Sequence, residues 1–131
     1  MDEHNERGDK VRTYRDLHVW QKAVVLTEEV YAATRAFPKD QIYGLTAQMR
    51  RAAVSIASNI AEGQGRQSRG EFLQFLGHAR GSLAELGTQV TIAGRLGRLS
   101  PDVEETMMAR LGEVGRMLNA LRRSLKPPPM S

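Results

Sequence analysis

The sequence contains no cysteine, which excludes disulfide bonds, thiolate zinc sites, iron–sulfur clusters and cysteine nucleophiles. Aromatic residues make up only 5% of the chain and leave little for stacking against nucleobases. Long apolar runs are also missing, since stretches such as residues 23–26 fall far short of the roughly 20 residues that cross a bilayer. Residues 1–15 mix acidic and basic side chains around no apolar stretch, so we expect a cytoplasmic protein without a secretory signal or a membrane partner.

The composition that remains is that of one ordinary globular domain of 131 residues, 40% hydrophobic and 26% charged. Its formal net charge of +4 comes from 19 basic and 15 acidic residues. That balance admits nucleic acid as a partner but indicates a mixed surface rather than a basic tail. The positive excess is greatest in residues 64–99, where arginine supplies the planar guanidinium groups that suit phosphate contacts.

Apolar residues recur with helical spacing along most of the chain, and no segment alternates with the period of a strand. The pattern predicts an all-α fold with helices over about residues 16–36, 41–62, 69–96 and 101–125. Short connections between them favour an up-down-up-down antiparallel four-helix bundle, with the domain over residues 15–125. We predict a disordered tail at residues 1–14 and a loose proline-rich tail at residues 126–131.

Polar residues and glycines mark the ends of these helices. N-caps, whose side-chain oxygens accept hydrogen bonds from free backbone amides, are expected at Asp16, Asp40, Ser68 and Ser100. Pro101 is suited to the first position of the fourth helix. Gly63 and Gly97 are expected just beyond the ends of the second and third helices.

The first and third helices carry apolar or small residues on more than one stripe, which is wider than a monomeric bundle needs. A second buried face suggests a homo-oligomer. Gly77, Gly81 and Ala84 share one face of the third helix, where missing side chains permit a close approach. That face is a contact between subunits, a contact within the bundle, or a place where glycine is merely tolerated.

The second helix carries polar residues beside its apolar row. Four of them follow a 4-3-4 spacing and form a stripe on one face. The stripe is either a hydrogen-bonded network between helices or subunits, which we favour, or a ligand surface. The candidate network and interface residues, including those of the third helix, are Arg51, Ser55, Ser58, Asn59, Glu62, Gly77, Gly81 and Glu85.

No catalytic or metal-binding constellation can be assembled from the sequence. His18 and His78 lie on separate predicted helices, with no carboxylate at the spacing of a metal ligand. Glu71 is followed three residues later by Gln74 rather than by the histidine of a ferritin-like metal motif. We therefore predict that the protein is not an enzyme and needs no metal or cofactor.

The loop at residues 63–70 lacks the lysine of a phosphate-binding P-loop and follows a helix, so no nucleotide fingerprint applies. Its free amides beside two arginines would still suit an anion, although we favour the alternative of a plain helix end, turn and N-cap. The arginines at the end of the fourth helix also stabilise its dipole. The candidate phosphate contacts are Arg66, Arg69, Arg80, Arg95, Arg98, Arg122 and Arg123.

Several longer runs carry a resemblance to a known family. They include residues 15–23 (RDLHVWQKA), 43–45 (YGL), 48–63 (QMRRAAVSIASNIAEG) and 79–86 (ARGSLAEL), and the match covers about residues 14–126. On these runs the chain resembles the four-helix-bundle proteins encoded in intervening sequences of bacterial 23S rRNA genes. Two residues depart from the family pattern, because Ala57 stands where proline is usual and Arg98 where an aromatic residue is frequent.

The resemblance implies a bundle fold and a ring-shaped homo-oligomer, which we expect to be a pentamer. It extends distantly to the accessory protein of diversity-generating retroelements, which binds nucleic acid and a reverse transcriptase. RNA or a nucleic-acid-processing enzyme is therefore the expected partner. The family has no settled activity and supplies no catalytic residues, and the loss of proline at Ala57 should straighten the second helix.

Two function classes remain. The first is a non-enzymatic, oligomeric bundle that binds RNA or other nucleic acid through arginine-rich surfaces, with electrostatic and poorly sequence-specific affinity. The alternative is a protein–protein adaptor or scaffold ring with no direct nucleic-acid binding. A helix-turn-helix repressor is disfavoured because the predicted helices are too long and include no short recognition pair.

Overall fold

The computed structural model describes residues 10–39 and 44–127, and within them the chain is all-helical. A short 3-10 helix, Tyr14–Asp16, comes before the four α-helices. These are α1 (His18–Thr34), α2 (Leu45–Gln64), α3 (Arg69–Arg95) and α4 (Pro101–Leu125). The predicted four-helix bundle is confirmed. The predictions made for residues 1–9, for Asp40 and for residues 128–131 lie outside the described residues.

Each helix supplies one row of side chains to a single apolar core. α1 packs against α2 and α4, and α3 packs against the same two helices. The larger side chains in this core are fully enclosed, and burying one of leucine size contributes about 1.5–3 kcal/mol to the free energy of folding. Those with almost no exposed surface are Leu26, Val30, Met49, Ile56, Ile60, Phe72, Leu76, Leu86, Val90, Val114 and Leu118.

Only one of the two apolar rows of α1 enters this core. The buried row is Val19, Ala23, Leu26 and Val30. The other row, Trp20, Val24, Thr27 and Tyr31, is half-buried or exposed because most of it borders an open groove between α1 and α2. The surplus apolar stripe predicted from the sequence is thus located on the surface of the bundle. None of the described helices is long and apolar enough to cross a membrane.

The starts of α3 and α4 agree with the sequence prediction. The hydroxyl oxygen of Ser68 accepts a hydrogen bond from the backbone N–H of Glu71 at 3.1 Å. That of Ser100 accepts one from the N–H of Val103 at 3.2 Å, and Pro101 opens the helix. Each serine satisfies one backbone amide that the helix itself leaves without a partner.

The end of α3 depends on Gly97, whose φ of +72° lies in the left-handed region that favours glycine. With this turn, the N–H of Arg98 donates to the carbonyl of Ala93 at 2.8 Å, and the N–H of Gly97 donates to that of Gly94 at 3.0 Å. This pair of bonds is a Schellman motif, which satisfies carbonyls at the end of a helix. The predicted stop at Gly97 is confirmed.

The start of α1 differs from the prediction, since Asp16 does not cap this helix. Asp16 belongs instead to the 3-10 helix, where its carboxylate accepts the backbone N–H groups of Arg12 at 2.8 Å and Thr13 at 3.2 Å. The Thr13 hydroxyl in turn accepts the N–H of Arg15 at 3.2 Å, which completes a capping box. Val11 is buried, so the packed chain begins before the predicted boundary at residue 15.

Gly63 is not the residue beyond α2, as predicted, but a buried residue inside its last turn. A Cβ atom at this position would stand 2.8 Å from the Cβ of Phe75 and 3.0 Å from a ring carbon of Phe72. Both phenylalanines belong to α3, so the missing side chain permits the start of α3 to pack directly on the end of α2. Glycine is therefore required at position 63 for close packing of α3 and not for ending α2.

We predict that Gly63→Ala lowers the free energy of unfolding by about 1–3 kcal/mol, because the added methyl group overpacks this contact. Gly87→Ala is the matched control, since Gly87 is also inside a helix but a methyl group added there would meet no heavy atom within 4 Å. We expect the control to gain up to about 1 kcal/mol from helix propensity. Urea unfolding of both variants measures the difference, and equal stabilities would contradict the close-packing argument.

Candidate functional site

Part of the predicted polar network exists between α2 and α3. The hydroxyl oxygens of Ser55 and Ser82 lie 2.9 Å apart. The side-chain amide of Asn59 donates to the carbonyl of Ser55 at 2.8 Å and to its hydroxyl oxygen at 3.0 Å. Since the Ser55 oxygen accepts from Asn59, its own proton is available for Ser82. This half-buried group links α2 to α3 through side-chain hydrogen bonds.

Ser82 was not assigned to the network from the sequence. It occupies the α3 position that faces Ser55, and only the register of the two helices reveals that pairing. Of the remaining predicted members, Arg51 and Ser58 are exposed and lie outside this hydrogen-bonded group. Glu85 accepts only a long hydrogen bond, 3.4 Å, from the side chain of its neighbour Gln89.

Glycines on the surface of α3 do not mediate a contact inside the bundle. Methyl groups added at Gly77 and Gly81 would meet no heavy atom of the described residues within 4 Å. Of the three alternatives left open by the sequence, a contact within the described bundle is therefore excluded for these two residues. A contact between subunits and simple tolerance of glycine both remain open. Ile92, which is 43% exposed, continues the same face of the helix toward its C-terminal end.

The predicted phosphate-binding arginines fall into different environments. Arg66 is held in place, because its guanidinium lies 2.9 Å from the carboxylate of Glu62 and 4.6 Å from the centre of the Phe75 ring. Arg122 is half-buried, and its Nε atom is enclosed without a hydrogen-bond partner among the described residues. These two side chains are less available to a phosphate than the sequence implied.

The other predicted arginines have exposed side chains. Among residues 10–39 and 44–127, ion pairs join Arg66 to Glu62, Arg110 to Glu29, and Lys22 to Glu113. No such pair neutralises four of the remaining candidates in this part of the chain. These four are Arg80, Arg95, Arg98 and Arg123, while Arg69 is exposed at the start of α3.

An aromatic cluster that sequence reasoning missed lies at the start of α1. The rings of Tyr14 and Trp20 meet edge to face, with centroids 5.1 Å apart and an interplanar angle of 65°. The guanidinium of Arg15 lies 5.4 Å from the first centroid and 5.6 Å from the second. The carbonyl of Arg15 accepts the side-chain amide of Gln21 at 2.7 Å, which fixes the backbone here. The available signal was the Thr13-x-x-Asp16 spacing, which marks an ordered turn.

This cluster opens onto a groove of about 610 Å³ between α1 and α2. The α2 side of the groove is made largely of small residues. Two carboxylates, Glu28 and Glu62, also border it. The remaining lining residues are Tyr14, Trp20, Val24, Thr27, Val54, Ala57, Ser58 and Ala61.

A second arginine missed by sequence reasoning joins α1 to α2. The Nε atom of Arg50 donates to the buried hydroxyl oxygen of Thr34 at 2.9 Å, and its guanidinium lies 4.5 Å from the centre of the Tyr31 ring. The Thr34 hydroxyl donates in turn to the carbonyl of Val30 at 2.8 Å. Arg50 therefore stabilises the bundle and is only half-exposed.

A family model described as 23S rRNA-intervening sequence protein matches residues 15–120. The chain belongs to this family. It is also similar to the crystal structure of a protein with unknown function from the S23 ribosomal protein family of Bacteroides thetaiotaomicron. The identity is 20% over 81% of this chain and 96% of that chain, with a TM-score of 0.75, so this likeness concerns the fold alone. No curated protein matches the chain.

The family assignment from the sequence is confirmed, and neither comparison indicates a catalytic family. Within the described part of this 23S rRNA-intervening sequence protein, no group of three or more His, Asp or Glu side chains could hold a metal ion. α2 continues without interruption through Ala57, the position where the family usually has proline. Ala57 is half-buried and lines the groove.

Asp16 is the described residue whose titration the fold clearly changes. The backbone N–H groups of Arg12 and Thr13, which donate to its carboxylate, hold its pKa below the ordinary value of 3.8. A carboxyl with a lowered pKa stabilises the folded state above its unfolded pKa. That contribution is lost as the pH falls through the lowered value.

We predict that acidification through this range loosens the 3-10 helix and changes the fluorescence of Trp20, which is the one tryptophan of the chain. Asp16→Asn should show the loosened signal at neutral pH and no further acid step from this site. Fluorescence titration of both proteins measures the effect. An identical acid transition in Asp16→Asn would show that another group is responsible.

Proposed function

We propose that this family member is a non-enzymatic, self-assembling bundle that binds RNA through exposed arginines, with little preference for sequence. The observation that carries the proposal is the set of exposed arginines without a carboxylate partner in the described chain. An arginine held by a carboxylate has much of its charge already compensated. Arg80, Arg95, Arg98 and Arg123 keep theirs available for phosphate groups.

We also propose that the four helices alternate in direction, as the predicted topology requires. Contacts between neighbours support this arrangement. Lys22 pairs with Glu113 at 3.3 Å, whereas Glu29, further along α1, pairs with the earlier α4 residue Arg110 at 3.2 Å. On α2 and α3, Ser55 meets Ser82 while the later Gly63 lies against the earlier Phe75. In both helix pairs, residues further along one helix contact residues earlier in the other, as expected for antiparallel helices.

With alternating helices, positive charge is concentrated at the ends of the bundle. One end comprises residues 10–16, 62–71 and 122–127, which hold eight basic and three acidic residues. RNA presents a dense line of phosphates, and the attraction between it and clustered cations is largely independent of sequence. The charge distribution therefore supports binding at the bundle ends, where Arg95, Arg98 and Arg123 lie, whereas Arg80 is in the middle of α3. Four residues of each sign lie in the middle parts of the helices, residues 17–29, 52–61, 72–90 and 107–121.

Self-assembly is supported by apolar and glycine-rich surface that the bundle does not cover. The α3 face with Gly77 and Gly81 is open, and Ile92 extends it. Leu96, at the end of α3, is 59% exposed. A helix face without side chains permits a neighbouring helix to approach closely. The family resemblance implies that five copies form a ring.

We predict that the protein binds short RNA at about 50 mM salt and that the affinity falls at least about a hundredfold by roughly 200 mM, because bound phosphates release counterions. Arg98→Gln and Arg123→Gln should each lower the slope of log affinity against log salt by about one. Arg110→Gln is the matched control, since it removes the same charge from an arginine already paired with Glu29. Filter binding at several salt concentrations measures all four proteins.

Binding that is absent at about 50 mM salt, or indifferent to salt, would contradict the RNA proposal. Equal losses of RNA affinity in all three variants would mean that binding depends on the net charge and not on the position of the arginines.

We predict that Gly81→Leu reduces the assembled mass, because a bulky side chain would obstruct a close contact on the open face of α3. Gly87→Leu is the matched control, since Gly87 also has open space but lies about 80° from Gly77 and about 120° from Gly81 around the helix. Light scattering of both variants gives the mass. A fully assembled Gly81→Leu protein would exclude this face as a subunit contact.

The second candidate function is an adaptor or scaffold ring that binds a protein. The exposed apolar side chains of Leu96 and Met108 favour it, because such residues suit a protein interface. Co-purification of a partner that survives both nuclease and high salt would support this candidate. Loss of the partner under either treatment would favour RNA binding.

A further inference from the structure

We propose that the groove beside Trp20 binds an unpaired base of single-stranded nucleic acid, which stacks against the cluster of Tyr14, Arg15 and Trp20. This inference rests on the proposed RNA binding and names one site for it. The sequence alone argued against base stacking, because aromatic residues are only 5% of the chain. The structure gathers two of these few aromatic residues, with one arginine, at a surface groove.

The geometry of the cluster suits a planar ligand. Tyr14 and Trp20 are half-buried, so their rings are held by the protein while part of each remains accessible. The guanidinium of Arg15 lies within 5.6 Å of both ring centroids and is itself exposed. Aromatic rings and the flat guanidinium group both stack on nucleobases, and every base offers such a face. This cluster therefore binds a base without reading its identity.

The groove supplies room for the base next to the Trp20 ring. Ala57 and Ala61 form part of its opposite wall on α2, and their short side chains leave the space unfilled. The groove, of about 610 Å³, is wide open to solvent, so it suits a base that stacks on one wall rather than a ligand that is enclosed. Most of the lining is apolar, which favours the faces of a base over its charged backbone.

Charges around the groove indicate how the strand would lie. Arg15 is exposed beside the Tyr14 ring, where it is placed to contact a phosphate, whereas the Asp16 carboxylate next to Arg12 partly compensates the charge of Arg12. Glu28 borders the groove eight residues beyond Trp20, about 12 Å further along α1, and would repel the backbone there. Glu62 is paired with Arg66 at 2.9 Å, so its charge is partly compensated. The phosphates thus lie at the Tyr14 end and the base enters the apolar part.

A single strand fits this site better than a duplex does. Bases within a duplex are stacked on one another and expose only their edges, whereas an unpaired base exposes both faces. A second copy of the chain is the competing occupant of an apolar groove. Positive charge on the Tyr14 end complements a polyanion but not another basic bundle, and the open α3 face offers a separate surface for self-assembly.

Trp20 is the one tryptophan of the chain, so its fluorescence reports directly on this site. We expect a short oligoadenylate strand to quench the Trp20 emission at about 50 mM salt. Inorganic polyphosphate, which has charge but no bases, should bind without this quenching. A duplex RNA of equal length should bind with little quenching. Fluorescence anisotropy of labelled oligonucleotides gives binding independently of the tryptophan signal.

Two variants separate stacking from charge. Arg15→Lys keeps the charge but removes the planar group, and we expect it to weaken oligoadenylate binding several-fold while polyphosphate binding is unchanged. Trp20→Leu keeps an apolar side chain without a stacking face and should weaken oligoadenylate binding roughly tenfold. Arg110→Lys, at an arginine far from the groove and paired with Glu29, is the control. If Trp20→Leu fails to fold, quenching of the Trp20 emission in the native protein still tests the stacking site.

Each other outcome overturns a different statement. Oligoadenylate binding without quenching, together with native affinity in Arg15→Lys, would overturn the stacking site and leave the proposed RNA binding in place. Absence of binding to any nucleic acid would overturn the proposed function itself. A reduced assembled mass in a folded Trp20→Leu protein would show that a second copy occupies the groove, and would overturn the site.

Discussion

The close packing of α2 against α3 is the constraint on which the rest of the fold depends. These helices share the largest contact of any pair, and residues 65–68 alone connect them. Because the connection is so short, the end of α2 and the start of α3 must be in contact. Gly63 permits this because any side chain there would collide with Phe72 and Phe75. The register that follows brings Ser55 opposite Ser82.

Small residues on α2 have the opposite consequence on its other side. Ala57 and Ala61 face the groove, where α1 presents Trp20 and Val24. Small residues permit close packing where two helices meet. Where the neighbouring helix does not pack closely against them, small residues leave a gap instead. The apolar row of α1 that lines this gap is consequently not covered by residues 10–39 and 44–127 of the same copy. A single property of α2 therefore explains both its tight contact with α3 and the open groove beside α1.

The sequence predicted those features that are decided locally. Ser68, Ser100 and Gly97 act within a few residues of their own position, and their roles follow from residue type and spacing. The Thr13 and Asp16 capping box is equally local, but the sequence analysis identified only Asp16 and assigned it as the N-cap of α1. Family membership was also accessible, because long runs of specific residues carry it.

Features that depend on the register of two helices could not be predicted from the sequence. Which apolar row of α1 is buried depends on its rotation relative to α2 and α4, and both rows have the same period. Arg66 illustrates an intermediate case. Its ion pair with Glu62 follows from their spacing, but its stacking on Phe75 requires the turn between α2 and α3. The candidate site was therefore only partly predictable, since its arginines were identified without their partners.

Charge distribution connects the proposed assembly to the proposed binding. The middle of the bundle carries equal numbers of basic and acidic residues, and the open face at Gly77 and Gly81 lies in this balanced part. In the proposed assembly, copies that meet side by side through this face would bring together parts of the bundle whose charges balance overall, at little electrostatic cost. Their basic ends would then lie on the rims of the assembly. Charges there are separated by solvent and screened over about 8–10 Å, so the repulsion between copies is modest. A phosphate backbone that follows the rim meets cations from several copies in turn, and each added copy raises the affinity without any new type of contact.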